Sequence, residues 1–412
     1  MSGSIGRADC AARDATDPLA RVRDRFVIPE GVIYLDGNSL GALPVQTAAR
    51  VVAAVEAEWG QGLISSWTDA GWMEAPLRVG AKIARLIGAE ENEVVVAEST
   101  SVCLFKLVSA ALTMQPGRSV LLTEEENFHT DLYIAAAAAR QCGASIRVVP
   151  RQALRDALDG DVAVQLLTHV DYRTGFMHDL AELSAAAHDV GALAVWDLSH
   201  SAGAVPLSVT PDGADMATGC GYKYLNGGPG APAFMYVRSA LHTEMRNPLP
   251  GWLGHAEPFA FERGYRPAAG MASMLSGTPP ILQLAALEAG VDLWNEVSMT
   301  AARRKSIALT DLFIALVEDR CADAGFSLAS PRDPTRRGSQ VSLRHLQGYG
   351  IVRALVDRGV IGDFRALDIC RFGFAPLYLR YVDVWDAVDR LRAVMHSGAH
   401  RDSRFAERAA VT

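Results

Sequence analysis

Cysteine is scarce and scattered. The 412 residues hold six, Cys10, Cys103, Cys142, Cys220, Cys321 and Cys370, and no CxxC pair. A chain this long can build its stability from a core, so a disulfide framework is excluded and reduced thiols are expected. Concentrated positive charge is also missing. The net charge is −8, and the tightest basic clusters are Arg303-Arg304 and Arg336-Arg337. Binding along a phosphate backbone needs Lys and Arg gathered together, so no nucleic-acid partner is expected. No apolar run approaches the ~18 residues of a membrane helix. The first twenty residues carry no apolar stretch of the about 7–15 residues found in a signal peptide. A cytoplasmic location away from membranes is therefore expected. Ten histidines are dispersed, without HExxH or a close Cys/His cluster, so no metal site is expected. No GxGxxG follows the first strand of the α/β region, which argues against a nicotinamide enzyme.

What is present is an alternation of apolar runs and amphipathic stretches, in a chain half apolar and 21% charged. A first helix is expected from Pro44, a favourable first-turn residue, to about Trp59. A helix over 76–87, a buried strand at Val94-Val95-Val96 and a helix over 100–113 follow. The alternation continues with strands 119–123, 145–149, 162–168 and 193–197 and helices 130–141 and 179–190, then short strands near 216–219 and 232–237. This pattern predicts an α/β fold with a mainly parallel sheet covered by helices on both faces. After Pro280 the pattern changes. One long helical stretch (280–322), strands near 340–345 and 360–364, and helices 348–358 and 382–395 predict a smaller α+β domain. That domain is expected to comprise residues 1–55 and 285–412, with residues 56–284 forming the large domain. Residues 1–18 and 397–412 read as loose ends.

In open α/β sheets ligands gather at the carboxyl ends of the strands. Asp197 ends the apolar run Ala192–Trp196. It can cap a helix, or hold a cationic heterocycle through a charge-assisted hydrogen bond. His200 follows three residues later, and on its own is as readily structural. Lys223 sits in Gly219-Cys220-Gly221-Tyr222-Lys223-Tyr224-Leu225-Asn226-Gly227-Gly228-Pro229-Gly230, flanked by aromatics and followed by glycine turns. A buried ammonium is paired, neutralised or used covalently. A strand-end Asp with such a lysine 26 residues on fits a pyridoxal-phosphate (PLP) site. Ser99-Thr100-Ser101 opens a helix after a strand, where backbone N–H groups and hydroxyls hold phosphate, or where a serine simply caps. Phe128, in Phe128-His129-Thr130-Asp131, either lies on a cofactor ring or fills the core.

Taken together these residues resemble the kynureninase family of fold-type I PLP enzymes, from about Tyr34 to Met395. The segments that carry the resemblance begin with Tyr34-Leu35-Asp36-Gly37-Asn38-Ser39-Leu40-Gly41 and Trp196–Ala204. Tyr222–Gly230, Gly251-Trp252-Leu253-Gly254-His255, Gly277-Thr278-Pro279-Pro280 and Arg371–Tyr378 complete the set, in order. The resemblance implies a large PLP-binding domain and a seven-stranded sheet of the PLP-transferase type. It also implies hydrolytic Cβ–Cγ cleavage of L-kynurenine to anthranilate and L-alanine, with 3-hydroxy-L-kynurenine left open as a substrate, and a homodimer with shared active sites. Lys223 looks like the Schiff-base lysine that also moves the Cα proton, Asp197 like the pyridinium partner and Phe128 like the ring-stacking residue. Thr100, Ser101, Asp131, Thr168, His200 and Tyr222 match cofactor contacts. Trp252 and Thr278 match positions reaching the cofactor phosphate from the partner subunit. Arg371 resembles the arginine that grips the substrate α-carboxylate with its bidentate fork, and Trp67 a residue near the substrate aryl group. Tyr222, beside the lysine, is the candidate acid for γ-carbonyl hydration and Cβ protonation.

The rival readings are weaker. A cysteine desulfurase needs a mobile nucleophilic Cys in its second domain, and none lies between Cys321 and Cys370. A class-V aminotransferase has no use for a hydrolytic acid at Tyr222. A PLP-fold binding protein without catalysis has no reason to keep Lys223, Asp197, Tyr222 and Arg371 together.

Overall fold

The computed structural model describes residues 5–405. Its contacts divide the chain into two compact units. The larger comprises residues 46–171 and 178–296, the smaller 1–45, 172–177 and 297–412.

The larger unit is built on seven strands: β1 Val94–Val96, β2 Val120–Glu124, β3 Ser145–Val149, β4 Val162–Thr168, β5 Leu193–Asp197, β6 Met216–Cys220 and β7 Ala233–Val237. Their order in space is β1-β7-β6-β5-β4-β2-β3. The five strands from β6 to β3 run parallel, and β7 lies antiparallel between β6 and β1. The expected mainly parallel α/β sheet is present. Six of its strands, all but β3, are buried along their whole length. Apolar side chains on both faces are what a sheet covered by helices requires. The helix Thr100–Thr113 supplies one cover and buries Cys103, Leu104, Leu107, Val108 and Ala111. Full burial of each such leucine or valine is worth roughly 1.5–3 kcal/mol. The helix Ala75–Ile87 ends at Gly88, whose φ of +69° only glycine adopts without strain.

The smaller unit carries a four-stranded antiparallel sheet of β8 Ser327–Leu328, β9 Gln340–Arg344, β10 Asp363–Arg365 and β11 Ile369–Gly373, in the order β8-β9-β11-β10. Separately, Ile33–Tyr34 pairs in parallel with Val360–Ile361.

Several expectations need correction. The single helical stretch 280–322 is two helices, Ile281–Asn295 and Met299–Arg320. Ser298 separates them by accepting a hydrogen bond from the Ala301 N–H, 3.3 Å away, which starts the second helix. The helix expected from Pro44 to Trp59 is α-helical only over Val45–Ala53 and widens into a π-turn over Ala54–Trp59. The expected loose start is a helix, Arg7–Ala15. Arg7 pairs with Asp386 at 2.7 Å, and the Asp14 carboxylate accepts from the Tyr381 and Val382 N–H groups at the start of the helix Tyr381–Ser397. Residues 399–401 form a further turn in which His400 is buried, its Nε2 3.0 Å from Gln347 Oε1. Both ends are held by long-range polar contacts that no local pattern announces. The calls on residues 1–4 and 406–412 lie outside the described residues. Among the described residues no helix is long and apolar enough to cross a membrane.

Candidate active site

In the larger unit the ends of β4 and β5 stand side by side, with Thr168 directly opposite Asp197 in the parallel register. Asp197 is 3% exposed. One of its oxygens accepts the Ser199 N–H at 2.7 Å, which folds the chain sharply after the strand. Asp131, from the first turn of the helix His129–Gln141, reaches the same place. It lies 3.3 Å from the Thr168 hydroxyl and hydrogen-bonds Asp197 side chain to side chain. Burial raises the Asp131 carboxyl well above its usual range, and the charge and hydrogen bond of Asp197 raise it further. The nearby Lys223 ammonium opposes the rise.

Lys223 follows β6, and its Nζ lies 2.9 Å from His200 Nε2. Tyr222 precedes it, with its ring centroid 5.8 Å from the ammonium. Tyr222 also lines a cavity of about 360 Å³ with Ser99, Thr100, Gly230 and Pro280. Ser99 caps the helix Thr100–Thr113, accepting from the Val102 N–H at 3.5 Å. Thr100 and Ser101 therefore form the first turn of a helix whose start opens on that cavity, where unpaired N–H groups attract an anion. Phe128 stands at the start of the helix His129–Gln141 and is partly exposed.

Asn127 is a member of this cluster that the sequence reading missed. Its Oδ1 accepts from the Thr168 hydroxyl and from the Phe128 N–H at 2.8 Å, and its Nδ2 donates to Thr123 Oγ1 at 2.9 Å. It ties two strand ends to the loop that carries Phe128. An Asn just ahead of an aromatic at a helix start was the available signal.

Thr100, Asp131, Thr168, Asp197, His200, Tyr222 and Lys223 are thus linked by bonds or by a shared cavity. Trp67 and Trp252 form a separate group. Trp67 packs edge-on against Trp72 at 5.7 Å and Trp252 at 6.4 Å. Trp252 is 39% exposed, and Thr278 is exposed too.

Arg371 lies in the smaller unit, in the middle of β11, and is 1% exposed. Asp363 of β10 is its direct cross-strand partner. The guanidinium donates from Nε to Asp363 Oδ1 at 2.8 Å and from Nη2 to Asp363 Oδ2. Nη2 also donates to Ser39 Oγ at 2.7 Å, and Nη1 to the Tyr172 carbonyl at 2.7 Å. Ser39 in turn donates to Asp363 Oδ2 at 2.9 Å. Burial alone would raise the Asp363 carboxyl, but Arg371 and Arg365 outweigh it and hold it below its usual range. Sequence reasoning missed Asp363 and gave Ser39 no role, although Ser39 lies in the Tyr34–Gly41 segment.

The larger unit thus offers an amine, a buried acidic seat for a cationic ring nitrogen and a helix start for an anion. Known proteins decide which family combines them. A kynureninase of Pseudomonas fluorescens is 51% identical, over 98% of this chain and 99% of that one. The chain belongs to the kynureninase family. A kynureninase of Burkholderia mallei is 49% identical over the same shares. The family description "Kynureninase C-terminal domain" matches residues 302–391. Among solved structures, an apo cysteine desulfurase from Thermococcus onnurineus superposes with a TM-score of 0.78 at 18% identity, covering 92% of this chain and 98% of that one. A mutant of C-DES with glycine covalently linked to its PLP cofactor also gives 0.78 at 18% identity, covering 90% and 98%. The structural likenesses establish the PLP-enzyme fold, and the kynureninase relatives set this family member apart from the desulfurases that share it.

Proposed function

We propose that the chain hydrolyses the Cβ–Cγ bond of L-kynurenine to anthranilate and L-alanine, with pyridoxal phosphate as cofactor. Family membership over nearly the whole chain supports the activity. The observation that carries the site is the Lys223 amine close to the buried Asp131–Asp197 carboxyl pair at the strand ends. These residues fit the cofactor. The buried Asp131–Asp197 carboxyl pair is an acidic seat for a protonated pyridine nitrogen, and the helix start at Thr100 faces a cavity suited to a phosphate. When bound, the cofactor supplies the electron sink that acidifies the Cα proton and lets the Cβ–Cγ bond break.

The chain's residues do the rest. Lys223 would hold the cofactor aldehyde, and its amine would also take up the Cα proton. Asp197 would hold a protonated ring nitrogen, with Asp131, Thr168 and His200 fixing the surroundings. Thr100 and Ser101 would hold the phosphate, and Phe128 would stack on the ring. Tyr222 delivers protons for γ-carbonyl hydration and at Cβ, a role worth ~10²–10⁴-fold in rate. Arg371 binds the α-carboxylate, and Trp67 lines the aryl side. Trp252 and Thr278 reach the cofactor phosphate of a second copy, a role their exposure supports. The functional form is then a homodimer with shared sites, acting in the cytoplasm in tryptophan catabolism by the kynurenine pathway, with its product open to NAD biosynthesis. The 3-hydroxy substrate adds one hydroxyl to the ring, a small change for a pocket to accept.

The test is direct. Purified protein should be yellow and should release fluorescent anthranilate from L-kynurenine. A colourless, inert preparation at saturating cofactor would refute the assignment.

A further inference from the structure

The segment Tyr34–Gly41 runs along the end of β11. Asp36 bridges Gly373 in parallel, and the Gly373 N–H donates to the Leu35 carbonyl at 2.7 Å. The contact leaves no room for a side chain on the strand, since a Cβ on Gly373 would fall 1.9 Å from Asn38 Oδ1. Gly373 and Arg371 are two residues apart on one strand and so share a face of the sheet. Asp36 therefore comes down beside the Arg371–Asp363 pair. Its Oδ1 is buried without a hydrogen-bond partner.

The charged groups around Asp36 are few. Asp363 and Arg365 face it from β10, and Arg371 from β11. Ser39 hydrogen-bonds its other side, and Tyr34 lies on the same segment. The Tyr378 hydroxyl sits against Gly37, 2.2 Å from where a Cβ would be. Arg371 and Arg365 share the single carboxylate of Asp363. With Asp36 neutral the group keeps one positive charge, and with Asp36 ionised it keeps none.

We propose that Asp36 is a positioning residue for the substrate-carboxylate site: as a neutral acid it leaves Arg371 its charge for the substrate, and its ionisation cancels that charge and weakens binding. This rests on the reading of Arg371 as the carboxylate-binding residue. Burial, followed by the negative charge of Asp363, pushes the Asp36 carboxyl up to about 7, against the opposing pull of Arg371, Ser39 and Arg365. A buried carboxyl oxygen with no donor is what a neutral acid tolerates and a carboxylate does not.

Linkage fixes the sign. An anion bound beside Asp36 favours its protonated form, so protonation favours the anion by the same factor. KM for L-kynurenine should be flat below about pH 7 and rise above it. A like charge close by moves a pKa by roughly one unit or more, and each unit is tenfold in binding. A rise of about tenfold by pH 8.5 is therefore expected, with kcat showing no matching step. Asp36→Asn stays neutral at every pH, so its KM should stay flat across the range, without the rise above about pH 7. In the unaltered enzyme, the inhibition constant of the decarboxylated analogue kynurenamine should lack the rise, because the coupling acts through the carboxylate. If Asp36→Asn keeps the full rise, or kynurenamine shows the same one, the inference is wrong. A failure of the underlying reading looks different: Arg371→Ala would then leave KM unchanged at pH 6.

Discussion

In the sheet of residues 94–237, Thr168 and Asp197 stand at the ends of neighbouring parallel strands, where the chain turns away and the side chains face loops. In the sheet of residues 327–373, Arg371 stands mid-strand with Asp363 opposite it in the ladder. The first arrangement gathers groups from successive loops and tunes them through burial and neighbouring charge, as the raised Asp131 carboxyl beside Asp197 illustrates. The second immobilises one guanidinium by strand register and needs a counter-charge, because a buried cation without one is prohibitively costly. Chemistry that must move protons suits the first. Recognition of a fixed carboxylate suits the second. The comparison therefore predicts that damage to the larger unit's site falls on turnover, and damage to the smaller unit's site on KM and stability.

The sharpest way to break this comparison is Lys223→Ala. The variant should lose the yellow colour and its turnover together, measured by absorbance and anthranilate fluorescence. Colour that persists and bleaches normally with borohydride would move the covalent role elsewhere. Next in size, Tyr222→Phe should keep the cofactor spectrum while kcat falls by ~10²–10⁴-fold. Unchanged turnover would remove the acid role and leave the hydroxyl only a lining of the cavity shared with Thr100.

How far the two sheets could be read in advance follows the same division. The larger sheet was legible because β-branched and apolar runs such as Val94–Val96 and Val162–Thr168 alternate with helical periods, and strand-end placement then put Asp197 and Lys223 near each other. In the smaller sheet β11 escaped detection. Its run Ile369-Cys370-Arg371-Phe372-Gly373 places a charge at its centre and a glycine at its end, a pattern that propensity reads as loop. Arg371 itself was flagged only through the family resemblance. Asp363 was invisible because its meaning lies in cross-strand register, which only the fold supplies. Asp131 was likewise flagged by resemblance, yet its contact with Asp197 spans 66 residues of sequence.

Arg371→Ala should raise KM by about a hundredfold with a much smaller change in kcat, since truncating one partner of a buried charge pair costs roughly 2–5 kcal/mol. It should also lower the melting temperature, because Asp363 keeps its burial but loses its principal cation. A fall in kcat alone would contradict the division of labour drawn above.

The smallest expected effect tests whether the larger unit also contains a purely structural charge site. Glu124 ends β2, is 1% exposed and binds Arg151 Nε at 2.9 Å, while His178 Nε2 lies 2.9 Å from its other oxygen. Arg151 also pairs with Asp171 at 2.8 Å. Burial would raise the Glu124 carboxyl, but His178 and Arg151 outweigh it and hold it below its ordinary value of 4.5. A carboxyl lowered in the folded state stabilises above its unfolded pKa, and that stabilisation disappears as pH falls through the folded value. Glu124→Gln should therefore cost about 1.5–3 kcal/mol near pH 7, the range for a hydrogen bond to a charged group. The gap between the two proteins should narrow in melts below about pH 4.5, where the native carboxylate protonates. kcat and KM should stay put at neutral pH. A gap that holds constant through the acid range would mean that shape rather than charge makes Glu124 matter, and a lowered kcat would draw this cluster into the active site.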